Sequence, residues 1–174
     1  MAKTKVNDET IYVYGGSFDP PHEGHLSVIQ SLLDQHRQVV VAPTVQNPFK
    51  VDKASPLAIR MEMLEAALEN FSIPYTKDLN KLSSKCVYLS SFPYHFACDF
   101  VDWWRSFDSR EIYWVVASDI AEEATSWKNW DAMKISKYVF QISNDISSSD
   151  IRKGLTAPMS GVAEVIKKHR LYEK

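Results

Sequence analysis

The segment from Gly15 to Leu26, Gly-Gly-Ser-Phe-Asp-Pro-Pro-His-Glu-Gly-His-Leu, constrains this chain more than any other stretch. It follows a short apolar run, Ile11–Tyr14, and leads into Leu26, Ile29, Leu32 and Leu33, which are spaced as on one side of a helix. A short apolar run bounded by glycines reads as a strand, and the spacing after it as a helix. The segment is therefore a strand-to-helix junction that carries two histidines, His22 and His25. A helix start leaves backbone N–H groups unpaired and holds the positive end of the helix dipole, which suits phosphate. Residues three apart share a helix face, so the two imidazoles can address one ligand. Together these features describe a place where negative charge on a phosphoryl group is stabilised.

Further β-type runs recur at Val39–Ala42, Val87–Ser90, Ile112–Val116 and Tyr138–Ile142. Helical periodicity lies between them, clearest in Leu57–Leu68, with Phe100–Phe107 and Val162–His169 as further helices. Strands alternating with helices predict an α/β fold with a mainly parallel sheet flanked by helices. Ligands of such sheets sit beyond the carboxyl ends of the strands, where the first loop places His22 and His25. Residues 43–56 and 118–131 read as loops, and residues 1–174 as one domain with a full core. A net charge of −2 offers no basic surface for nucleic acid or an anionic membrane. No run is long enough to span a bilayer, and the N-terminus lacks the apolar stretch of a signal peptide, so a cytoplasmic location is expected. Cys86 and Cys98 have neither CxxC nor metal-ligand spacing and are expected as free thiols, and no cluster suggests a metal held by protein side chains.

The first loop is neither a GxGxxG nor a Walker A sequence. It resembles the His-x-Gly-His signature of the nucleotidyltransferase superfamily, specifically the nicotinamide/nicotinate mononucleotide adenylyltransferases, whose opening Gly-Gly-Ser/Thr-Phe-Asp-Pro-Pro-His-x-Gly-His-Leu is met at every position. Ile146-Ser147-Ser148-Ser149-Asp150-Ile151-Arg152 resembles the superfamily's Ile-Ser-Ser-Thr-x-x-Arg, with Ser149 where threonine is usual. Serines at a helix start can cap it, and an arginine one turn later offers a planar fork to phosphate oxygens. A third block, Trp114 to Asp119 followed by Trp127-Lys-Asn-Trp130, resembles the family's strand ending in Gly-Ala-Asp and its Trp-x-x-Trp, with Ala117 in place of the glycine. The Rossmann-like nucleotidyltransferase fold is implied by the same resemblance, which runs from about residue 11 to residue 172 and is weak over residues 70–110.

The resemblance implies transfer of AMP from ATP to a pyridine mononucleotide, giving a dinucleotide and pyrophosphate. It implies His22 and His25 as catalytic hydrogen-bond donors. Gly15, Gly16, Ser17, Phe18, Lys50, Asp119, Ser148, Ser149 and Arg152 are implied at ATP and its phosphates. Trp127 is implied as the stacking partner of the pyridine ring, while Trp130 reads as core packing, since one indole usually anchors such a helix. Mg²⁺ is expected with ATP, held by phosphates and water. Arg60 either supports a phosphate or is a solvated helix charge, and His36, His95 and His169 read as surface or packing residues. Another superfamily member such as phosphopantetheine adenylyltransferase is the near alternative, and a non-catalytic nucleotide-binding regulator the one from another class. Residues 94–104 depart from the nicotinate enzymes' Tyr-Thr-x-x-Thr-Leu, which leans the reading towards nicotinamide or use of both rings. A homo-oligomer is left open, since surface patches depend on the folded arrangement.

Overall fold

A computed structural model describes residues 9–46, 53–141 and 146–173. Among the described residues six strands form one all-parallel sheet: β1 (Thr10–Gly16), β2 (Gln38–Pro43), β3 (Tyr75–Thr76), β4 (Val87–Leu89), β5 (Glu111–Ala117) and β6 (Ser136–Phe140). Their order across the sheet is β3-β4-β2-β1-β5-β6. The chain builds outward from β1 through β2 and then crosses back to lay β5 and β6 on the other side. The order thus reverses at β1, and a crevice at its carboxyl end is the expected ligand position.

Both faces of β1 are covered, which is why the strand reads as a continuous apolar run. Tyr12 and Tyr14 face a core layer that includes Leu26, Ile29 and Leu32 of α1 (Glu23–Asp34) and Met63, Leu64 and Leu68 of α2 (Leu57–Asn70). Val162 and Val165 join it from the C-terminal helix Ser160–His169. Ile11 and Val13 face the opposite layer, with Phe100, Val101 and Trp104 of α3 (Ala97–Arg105). The period-2 alternation of a strand sends successive side chains into these two layers.

The expected strands and helices are all present, with shifted ends. The helix expected from Phe100 begins at Ala97, and that expected from Val162 begins at Ser160. The last strand starts at Ser136, two residues before the expected Tyr138, while Ile142 lies outside the described residues. The expected loop over residues 118–131 contains a helical turn, α4 (Ala121–Ala124), and the start of α5 (Trp130–Met133). The helix Ser148–Arg152 is α6, which makes the C-terminal helix α7.

Candidate active site

His22 is the N-cap of α1, and its ring does the capping. The Gly24 N–H donates to His22 Nδ1 at 3.1 Å, and the His22 N–H donates to His25 Nδ1 at 3.0 Å. A backbone N–H can only donate, so each Nδ1 must present a lone pair. In the neutral imidazole the proton then sits on Nε2. The backbone therefore sets both rings to the tautomer with the proton on Nε2. The rings stack at 3.8 Å between centroids and 26° between planes. Burial pulls the His22 pKa down to about 4, so this imidazole is neutral near pH 7.

Beneath the pair, Phe18 packs edge-on to His25 at 4.9 Å and to Tyr14 at 5.3 Å, with only 2% of its surface exposed. Its side chain is thus core and supports the His25 ring. The Ser17 carbonyl accepts from Arg60, and the Ser17 side chain lines neither cavity described below.

The loop at Asp19 and Pro20 is tied down from three distant segments: the turn at Ser55, the helix that carries Ser148 and Arg152, and Tyr172. Asp19, 5% exposed, accepts a hydrogen bond from the Ser55 N–H at 2.8 Å and another from the Tyr172 hydroxyl. Arg152 Nη1 donates to the Asp19 carbonyl at 2.8 Å, and Ser148 Oγ donates to the Pro20 carbonyl at 2.7 Å. The serine–arginine motif is therefore on the histidine side of the sheet. Its helix α6 is capped by Ser147, whose hydroxyl accepts from the Asp150 N–H at 3.0 Å.

Arg60 takes neither of the roles expected for it. It is fully buried on α2, with Nε donating to the Ser55 carbonyl at 2.7 Å. Its Nη atoms donate to the carbonyls of Ser17, Thr44 and Val45 at 2.8, 2.6 and 2.7 Å. It braces the loops that leave β1 and β2. Lys50 lies outside the described residues.

Two cavities flank the end of β1. The larger, about 690 Å³, is lined by His22, His25, Asp119, Ser148, Ser149 and Arg152, with Tyr14 and Phe140 on its apolar side. The smaller, about 130 Å³, is on the other core layer and is lined by Gly15, Gly16, Tyr94, Trp114 and Trp127 among others. Gly15 belongs there sterically. A Cβ at that position would lie 2.5 Å from the Trp114 ring and 2.8 Å from the Tyr94 hydroxyl. Trp127 and Trp130 are both half-buried, with rings 6.1 Å apart, and both pack against the core layer of Phe100 and Trp104.

Several lining residues carried no signal in the sequence. Tyr94, Thr44 and His95 line the small cavity, and Tyr138 and Gln141 the large one. His95, read as a surface or packing residue, is exposed at the cavity wall. Among the described residues no group of three or more His, Cys, Asp or Glu is placed to hold a metal ion, and no helix is long and apolar enough to cross a membrane.

Comparison with known proteins agrees with this architecture. The chain is 26% identical to a probable nicotinate-nucleotide adenylyltransferase of Sulfurimonas denitrificans over 145 residues, covering 82% of this chain and 75% of that protein. It is 29% identical to a probable nicotinate-nucleotide adenylyltransferase of Helicobacter pylori over 155 residues, covering 86% and 83%. A crystal structure from Vibrio parahaemolyticus matches with a TM-score of 0.70 at 19% identity, covering 94% of this chain and 95% of that one. A Plasmodium falciparum nicotinic acid mononucleotide adenylyltransferase complexed with NaAD matches with a TM-score of 0.65 at 19% identity, covering 94% and 97%. The family model described as cytidylyltransferase-like matches residues 13–154. With that match spanning most of the chain, and with the parallel sheet and the histidine junction in place, the protein belongs to the cytidylyltransferase-like family of nucleotidyltransferases.

Proposed function

We propose that this protein transfers AMP from ATP to a pyridine mononucleotide, releasing pyrophosphate. The observation that carries the reading is the pair of backbone-locked imidazoles opening, with Arg152, onto the larger cavity. The smaller cavity, walled by Trp127 and Trp114, supports an aromatic ring as the second substrate. The names of the curated relatives support the same class of reaction.

In this scheme a phosphate oxygen of the mononucleotide attacks the α-phosphorus of ATP. The new P–O bond forms as the bond from the α-phosphorus to the α,β-bridging oxygen breaks, and pyrophosphate leaves with that electron pair. The nucleophile is ionised at neutral pH and needs no general base. Catalysis is then positioning and charge stabilisation. His22 and His25 donate from Nε2 to the oxygens on the α-phosphorus. As neutral donors they can stack at 3.8 Å, which two imidazolium ions would resist by mutual repulsion. Arg152, with one nitrogen already on the Asp19 carbonyl, and Ser149 hold the departing pyrophosphate portion. Asp119, exposed beyond β5, faces the nucleoside hydroxyls. Gly15 and Gly16 line the smaller cavity, and the turn through Ser17 and Phe18 that follows them carries the two histidines to the phosphates. Mg²⁺ belongs to the substrate, bound to ATP oxygens and water. The demand for ATP and the two free thiols, Cys86 and Cys98, favour a cytoplasmic location.

The test is direct. The protein is incubated with ATP, Mg²⁺ and, in turn, nicotinate mononucleotide, nicotinamide mononucleotide or phosphopantetheine, and pyrophosphate and the coupled product are measured. Turnover with a pyridine mononucleotide is expected. Turnover with phosphopantetheine alone, or none with any acceptor, overturns the reading.

A further inference from the structure

The smaller cavity has a charge that neither the motif nor the proposed reaction uses. Lys128 lines it directly after Trp127, and its Nζ sits 4.7 Å from the centroid of the Phe96 ring, another residue of the same wall. That contact holds the ammonium by the attraction of a cation for an aromatic face. Among the described residues Lys128 is in no ion pair within 4 Å. Among the described residues no aspartate or glutamate lines the cavity, and the one other ionisable nitrogen there is that of His95. Thr44, also in the wall, keeps its hydroxyl buried and without a hydrogen-bond partner among the described residues. A buried hydroxyl left unpaired is unfavourable until a polar ligand group reaches it. The cavity is thus mostly aromatic, positive at one side, and short of one polar partner.

Resting on the reading of this cavity as the pyridine site, we propose that Lys128 selects the ring that carries a carboxylate over the ring that carries a carboxamide. A ring carboxylate is ionised at neutral pH and gains a charge-assisted contact with the ammonium, while a carboxamide is neutral and gains little. The selectivity lies in the lysine. Because Lys128 is exposed, the preference is moderate and weakens with salt. A hydrophobic face for the ring and one charge for its substituent is an economical way to separate two ligands of almost equal shape.

The experiment compares wild type with Lys128→Met and Lys128→Arg. Met keeps an unbranched stem against Phe96, and Arg keeps the charge. Affinities for nicotinate and nicotinamide mononucleotide are read by tryptophan fluorescence, and kcat/KM for both by pyrophosphate release. In Lys128→Met the nicotinate form should lose roughly 10-fold in affinity and in kcat/KM through KM, with the nicotinamide form changed by less than about 3-fold. Lys128→Arg should keep most of the preference, and raising the salt should erode it in wild type. An equal loss for both mononucleotides, or no change for either, overturns the proposal. Wild type that binds both mononucleotides and joins neither to AMP overturns the proposed reaction instead, and the affinity ratio then decides for or against Lys128.

Discussion

His22 is asked to do three things at once: cap a helix, stack on His25 and offer a proton donor to phosphate. The hydrogen bond from Gly24 makes the three compatible, because it occupies the nitrogen that faces the helix and leaves the other for the ligand. Burial adds to this by lowering the folded-state pKa from 6.5 to about 4. The unfolded chain then binds more protons than the folded one between those two values. Stability should therefore be complete above about pH 6.5, fall as pH drops towards about 4, and fall no further from this residue below that. Urea unfolding midpoints measured from pH 4 to 7 check this. The variant His22→Asn, which keeps a capping acceptor, should lose most of the acid slope. Identical slopes in the two proteins would contradict the neutral, backbone-locked imidazole. The capping role was hidden in the sequence because histidine is not among the usual N-cap residues, whereas its spacing from His25 was plain.

The elements around the junction show why some roles can be read from a sequence and others cannot. Strands β1, β2 and β5 announce themselves because both of their faces are buried, which leaves uninterrupted apolar runs. Strand β3 is only Tyr75–Thr76, too short for a pattern. Arg60 is the sharper case. A lone arginine in an amphipathic helix reads alike whether it is solvated or buried. Its partners here are the carbonyls of Ser17, Thr44, Val45 and Ser55, which leave no mark on residue type. Replacing it with alanine strips those carbonyls of a donor and opens a cavity where nothing is solvent-exposed. The expected loss for Arg60→Ala is about 3–5 kcal/mol by denaturant unfolding. A loss within the range of an ordinary surface change, below about 0.5 kcal/mol, would contradict the brace. Phe18 shows the same limit from the apolar side. It belongs to a motif associated with ATP, yet its ring supports His25 from within the core.

Across the whole molecule, the loop that carries the histidines is assembled from parts far apart in sequence. Ser148, Arg152 and Tyr172 reach it over separations of 128, 133 and 153 residues. The last turn of the chain is thus a structural member of the site, and its Leu-Tyr ending has a physical use. In Tyr172→Phe the Asp19 carboxylate loses one of the two donors it has among the described residues, so stability should drop by about 1.5–3 kcal/mol, as for hydrogen bonds to charged groups. An unchanged thermal midpoint would mean that the C-terminal turn only rests on the loop. The divergent residues 94–104 end in the same logic: their departure from the family pattern leaned towards nicotinamide, but Tyr94, His95 and Phe96 share a cavity wall with Lys128, whose charge no local motif reveals. All of this converges on the imidazole pair at the end of β1. The measurement that bears on it most directly is pyrophosphate release by His25→Ala at saturating ATP and mononucleotide. Turnover should fall by at least about 10²-fold, as when one preorganised donor to a developing anion is removed, with ATP affinity changed far less. Turnover near that of wild type would contradict the account.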